Sequence, residues 1–287
     1  MIAELAARGT ALLGEAPRWM PWAGGPPSLL FSDLLSGVLF RLDGDKTTPV
    51  RSFDGETVSA VIPLADGGSV VALHRSLAVF DEAGNEAHRI PLDLAPGLRL
   101  SDATAGPSGH LWIGVVPAGD EPLPGALLRY GADGVRVIQD GVGFSNGLGF
   151  SSDGTTMVHI DSDAGTIFRR SHDPHTGDVG DPEEFYRVPE NSGALDGLCL
   201  DDGDRVWVAL FGGGEVVCID TDGAVVDNVL VPALRTSSCT FVGSTLYITT
   251  ARVGASDLEL AEFTLSGSLF RYETSVSGGP VWEGRIA

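Results

Sequence analysis

Apolar residues in this chain fall in short runs bounded by Gly, Asp, Asn or Ser. Examples are SVVALHRSLAVFD (69–81), HLWIGVV (110–116), TMVHIDSD (156–163), RVWVALFG (205–212), EVVCID (215–220) and TLYITTA (245–251). These runs are rich in β-branched and aromatic residues, which is the signature of strands. No long stretch carries helical periodicity. Only SDLELAEF (256–263) predicts a turn or two of helix, with Ser256 as its cap and Glu259 in the capping-box position.

One unit recurs. An apolar strand runs into a tight turn and a second apolar strand follows. It is seen in VIPLADGGSVVAL (61–73), ATAGPSGHLWIGV (103–115), LGFSSDGTTMVHI (148–160), LCLDDGDRVWVAL (198–210) and CTFVGSTLYITT (239–250). The turns fall near positions 67, 109, 154, 203 and 243, a period of about 40–50 residues that matches propeller blades. A weaker copy, APRWMPWAGGPPSLLFSD (16–33), brings the count to six, and each hairpin is followed by a second strand pair. Such a unit buries its faces only against its neighbours, and closing the ring protects the strand edges. The regular spacing favours this over a β-sandwich or jelly roll. The expected fold is all-β, a six-bladed β-propeller forming a single domain over residues 1–287. Two irregular segments interrupt it. VPAGDEPLPG (116–125) is a loop placed to cover a site, and SHDPHTGDVGDPEE (171–184) is a long outer hairpin.

Composition narrows the function. Hydrophobic residues make up 43% of the 287, which excludes an intrinsically disordered chain. Gly 39 and Pro 17 suit many turns and argue against a helical bundle. A net charge of −21 repels phosphate backbones and anionic lipid, so neither nucleic acid nor a membrane is an expected partner, whereas a cation is attracted. Cys199, Cys218 and Cys239 lie in apolar runs without C-x-x-C spacing and read as inert core thiols. The N-terminus lacks the basic-then-apolar pattern of a signal peptide, and no apolar run is long enough to cross a bilayer. A cytoplasmic protein, a monomer or small homo-oligomer, is the expectation.

Gly143-Phe144-Ser145-Asn146-Gly147 matches G-x-S-x-G, but strand and turn follow it where a nucleophile elbow needs a helix, and no histidine is obviously placed to serve Ser145. The six histidines lack metal-binding spacing. His159 reads as packed in a strand, and His172 and His175 as solvated in the outer hairpin. What remains is Glu15 in LLGEAPRW, Asn146 in FSNGLGF and Asp196 in ALDGLCL, each at the start of an inner strand. In a propeller such positions converge on the axis. Together they offer only oxygens, a ligand set for a hard divalent cation such as Ca²⁺. The alternative reading is that N-G and D-G are ordinary turn dipeptides.

GEAPRW (14–19), FSDLLSGVLFRLD (31–43), RLSDATAGPSGHLWIG (99–114), SNGLGFSSDG (145–154), IDSDAGTIFR (160–169), LDGLCLDDGDRVWVALFGGGEVVCID (195–220) and TSSCTFVGSTLYITTAR (236–252), in this order and spacing, resemble the SMP-30/gluconolactonase/regucalcin group of six-bladed propeller lactonases. The resemblance implies that Glu15, Asn146 and Asp196 bind one divalent metal, Ca²⁺ first and Zn²⁺, Mn²⁺, Mg²⁺ or Fe²⁺ as alternatives, and that Asp196 is also the general base. It implies that Arg99 contacts a sugar lactone. In the family's R-x-N-D segment an asparagine shares that contact, and here Ser101 replaces it. A hydroxyl reaches less far and offers one donor where an amide offers two, which moves the expected substrate away from the usual aldonolactones. The family's acidic contact from the next loop falls near Asp120 and Glu121 without selecting either. The implied function is hydrolysis of a small, sugar-derived lactone to its hydroxy acid. The competing reading is a calcium-binding or interaction propeller without catalysis.

Overall fold

The structure is a computed structural model that describes residues 1–21 and 27–286. Six four-stranded antiparallel sheets form the blades of a β-propeller. The innermost strands are Gly14–Met20, Val58–Pro63, Leu98–Ala105, Ser145–Phe150, Ala194–Leu200 and Arg235–Val242. Each packs beside the next, and the sixth returns to the first. Five of the six expected hairpins are seen complete, and two of their turns use Gly67 and Gly154 at φ of 87° and 73°, a conformation open to residues without a Cβ. The turn of the first hairpin falls on 22–26, outside the described residues.

Blades 1 to 5 each use four consecutive strands. The sixth takes its outermost strand from the other end of the chain: Glu4–Ala7 pairs antiparallel with Leu269–Glu273, Leu5 lying opposite Phe270. This closes the ring by sheet hydrogen bonds between the two ends of the sequence. Between blades the alternate residues of the strands interdigitate. Ile62, Leu100, Leu111 and Ile113 are fully buried in one such layer, each worth about 1.5–3 kcal/mol against exposure. Met20, Val61, Val71 and Phe80 fill another.

The C-terminal segment crosses the end of the channel where the inner strands finish. Asp202 N donates to Ser277 O, Gly279 N to Leu200 O, Gly284 N to Pro63 O and Arg285 N to Gly109 O. Entry to the channel is therefore from the end where the inner strands begin. The predicted helix is present at Asp257–Glu262, with Ser256 and Glu259 forming the capping box. No helix among the described residues is long and apolar enough to cross a membrane.

One expectation about the outer hairpin is corrected. His175 is exposed, but His172 is buried, with its ring edge-on to Trp112 and its Nδ1 2.6 Å from Gly154 O. The bridge between His172 and Val179 folds the hairpin back onto the blade and carries the imidazole inward.

Candidate active site

Every inner strand breaks register at the same level. The irregularities fall between Glu15 and Arg18, Val58 and Ala60, Leu100 and Ala103, Ser145 and Leu148, Leu195 and Leu198, and Thr236 and Ser238. A β-bulge lets a strand re-aim a side chain without leaving its sheet. Five of the six turn Glu15, Ser59, Ser101, Asn146 and Asp196 toward one cavity of about 270 Å³, which Arg99 and Asp102 also line; at the sixth, Ser237 Oγ donates to Gly14 O. In blade 1 the distortion reaches the backbone: Ala16 sits at φ 44°, left-handed for a residue with a Cβ, immediately before Pro17.

Two aspartates at the ends of second strands hold the loops that enter the site. Asp33 accepts from the N–H groups of Leu12 and Leu13 at 2.9 and 3.0 Å. Asp161 accepts from Gly143 and Phe144 at 3.0 and 3.1 Å. One fixes the approach to Glu15 and the other the approach to Asn146. The repeat FSDLLSG and HIDSDAG carried this signal in the sequence, since an aspartate four residues before a turn glycine recurs in both blades.

At the floor of the cavity Asn146 Nδ2 donates to Asp196 Oδ1 at 2.6 Å and to Ser162 Oγ at 3.3 Å. Both amide hydrogens are thereby used, and the amide oxygen stays available. Ser101 is buried in the wall, and Arg99 Nη1 donates to Leu100 O at 2.9 Å. All five residues expected from the sequence meet in this one cavity. Asp120 and Glu121 do not line it, nor does any residue of the 116–125 loop.

Burial raises the Glu15 carboxyl well above its usual range, and the nearby charges of Asp196 and Asp102 raise it further. Burial likewise pushes Asp196 up to about 8, against the hydrogen bond from Asn146 and the charge of Arg99. Asp102 rises to about 6, again through burial, with Arg18 opposing. Two neighbouring acids that resist ionisation together are stabilised as anions by a cation between them. Among the described residues no three His, Cys, Asp or Glu side chains lie close enough to hold a metal. The donor set here is therefore two acids and one amide. Glu15, Asp196 and the free Asn146 oxygen fit a hard divalent cation, which takes oxygen ligands of mixed type.

The G-x-S-x-G serine does have a histidine partner, contrary to the sequence reading. Ser145 Oγ lies 2.8 Å from His159 Nε2. Both residues are buried away from the cavity, and burial lowers the imidazole to about 3. The pair is a core hydrogen bond with no path to substrate. The three cysteines are free, with Cys199 and Cys239 sulfurs 3.6 Å apart in adjacent blades.

Residues 13–252 match the family model described as the SMP-30/gluconolactonase/LRE-like region. The pentonolactonase XacC of Haloferax volcanii is 30% identical over 280 residues, covering 93% of each chain. The L-arabinolactonase of Azospirillum brasilense is 32% identical over 277 residues, covering 93% of this chain and 90% of that one. The crystal structure of a calcium-binding protein, regucalcin, from Agrobacterium tumefaciens superposes with a TM-score of 0.85 at 26% identity, covering 99% of this chain and 98% of that one. By family model, sequence and fold together, the chain belongs to the SMP-30/gluconolactonase/LRE-like family.

Proposed function

We propose that this chain is a divalent-metal-dependent lactonase, a single propeller domain that opens a small, sugar-derived lactone to its hydroxy acid. Its relatives named as pentonolactonase and L-arabinolactonase make it a lactone-hydrolysing enzyme. The observation that carries the finer reading is the meeting of Glu15, Asn146 and Asp196 at the floor of an open cavity beside Arg99.

A divalent cation held by Glu15, Asn146 and Asp196 would polarise the lactone carbonyl and acidify water beside it. Calcium is favoured by the oxygen-only donors and by the calcium-binding relative from Agrobacterium tumefaciens. Asp196 accepts the proton of the attacking water at a carboxylate oxygen. The water oxygen bonds to the carbonyl carbon, and the ring C–O bond then breaks. Asp196 returns the proton to the departing alkoxide, so the product is the hydroxy acid and the enzyme is unchanged. Arg99 keeps N–H groups beyond the one that binds Leu100 O, and these steady the substrate and the developing oxyanion. Ser101 offers one further hydrogen bond from the wall.

The opposing reading, an ion-binding propeller without catalysis, predicts no turnover. A panel of five- and six-membered lactones followed with a pH indicator separates the two. Acid release that scales with protein concentration supports the enzyme; none across the panel, with calcium present, refutes it.

A further inference from the structure

We infer that Asp163 is a specificity residue of this site, accepting hydrogen bonds from hydroxyls of the sugar lactone that point toward the channel mouth. This rests on the lactonase reading above and deepens it, since it names a side chain that recognises the sugar. Among the described residues four acids line the cavity: Glu15, Asp102, Asp163 and Asp196. Glu15 and Asp196 belong to the cation set, and Asp102 accepts from Ala103 N at 2.7 Å. Asp163 alone of the four is exposed. Among the described residues no hydrogen bond or ion pair engages its carboxylate. The N–H groups of Gly143, Phe144 and Ala164 go to Asp161 instead.

The side chain is nonetheless held in place. Its turn, 161–165, is closed by Gly165 N donating to Ser162 O at 3.1 Å and by Ala164 N donating to Asp161 Oδ1 at 3.2 Å. Ser162, the preceding residue, ties the turn to the cavity floor: its Oγ accepts from Asn146 Nδ2 and donates to Leu195 O. Asp163 itself lies against the bare backbone of Gly143, where a Cβ would fall 2.7 Å from Asp163 Cβ and 3.2 Å from its Oδ2. The turn does not need an acid at this place. Blade 1 builds the same turn from Asp33-Leu34-Leu35-Ser36-Gly37. There Asp33 accepts from Ser36 N at 3.4 Å, and Gly37 and Gly165 share φ values of 66° and 61°. Leu35 stands where blade 4 has Asp163, so the acid serves something other than the fold. A carboxylate offers acceptors and no donor, which suits the hydroxyls of a sugar, and bonds to a charged acceptor are stronger than neutral ones. Arg99 from blade 3 offers only donors and Asp163 from blade 4 only acceptors, a pairing that a substrate with several hydroxyls can use on both sides.

The test compares wild type, Asp163→Ala and Asp163→Asn, with calcium present, on L-arabinono-1,4-lactone and on γ-butyrolactone, the same ring without hydroxyls. Each rate is corrected for spontaneous opening, and calcium affinity is measured by calorimetry. Where γ-butyrolactone opens too slowly to follow, its inhibition constant against the arabinonolactone replaces kcat/KM. Asp163→Ala should lower kcat/KM for the arabinonolactone roughly tenfold, mainly through KM, the scale of one lost bond to a charged group at an exposed position. The value for γ-butyrolactone and the calcium affinity should each stay within about twofold of wild type. Asp163→Asn keeps one acceptor oxygen and should recover part of the loss. Equal losses on both lactones, an unchanged arabinonolactone value, or calcium affinity falling in step with activity would overturn the inference and leave the lactonase reading intact. No turnover of either lactone by the wild-type protein would overturn both.

Discussion

Replacing Asp196 with asparagine should damage catalysis and strengthen the metal-free fold at once. The change is nearly isosteric, and its amide oxygen can still accept the hydrogen bond that Asn146 Nδ2 gives at 2.6 Å. At pH 7 the unfolded aspartate is ionised, while the folded one, raised from 3.8 to about 8 by burial, holds its proton. Each of the roughly three pH units between 3.8 and neutrality is worth about 1.4 kcal/mol, giving a ceiling near 4 kcal/mol. Water in the open cavity screens part of this, so the expected gain is about 2 kcal/mol, or roughly 4–8 °C in Tm for a chain of this size. Turnover should move the other way, with kcat falling about 10²-fold or more through loss of the proton acceptor. The assay pairs thermal unfolding in chelator at pH 7 with lactone hydrolysis in calcium. A metal-free variant less stable than wild type by more than about 1 kcal/mol would refute the electrostatic argument. A calcium-bound variant turning over near the wild-type rate would remove Asp196 as the base.

Other consequences follow from the same geometry. Because Glu15 and Asp196 both bind protons more tightly folded than unfolded, metal-free stability should fall as pH rises from about 4 toward 8, and calcium should flatten that slope; a metal-free Tm that climbs steadily over this range contradicts it. Ala16→Gly removes a Cβ from a left-handed residue and should add about 1 kcal/mol of stability by denaturant titration; a loss of that size would show that Ala16 is not strained. Asp161→Ala strips the N–H groups of Gly143 and Phe144 of their partner, so it should cost about 1–3 kcal/mol and weaken calcium binding by calorimetry; unchanged affinity would detach that loop from the site. Ser145→Ala breaks a core hydrogen bond to His159 and should lower stability while kcat stays within a few-fold; a 10²-fold loss of turnover in the folded variant would restore Ser145 as a nucleophile.

The hairpin repeat was legible because each turn and its flanking apolar runs are local, and so was the helix cap at Ser256. Glu15, Asn146 and Asp196 were legible for a related reason: the ring places equivalent inner-strand positions on one axis. The strand Glu4–Ala7 was not, since four residues without a turn partner give no local signal and their pairing is with Leu269–Glu273 at the other end of the chain. The bulges were hidden because register depends on the neighbouring strand. The polar residues around His172 suggest a solvated hairpin, whereas its own ring packs inward on Trp112. The Ser145–His159 pair has no local signal, because only the antiparallel return of the second strand brings those two residues together.

The central claim is that one divalent cation on Glu15, Asn146 and Asp196 is required for lactone hydrolysis. Calcium titrated into chelator-stripped protein, with acid release from a lactone followed throughout, tests it most directly. Turnover should be negligible before addition and should rise to saturate at one equivalent of tightly bound metal. Full activity in the stripped protein, with its metal content confirmed as negligible, would contradict it.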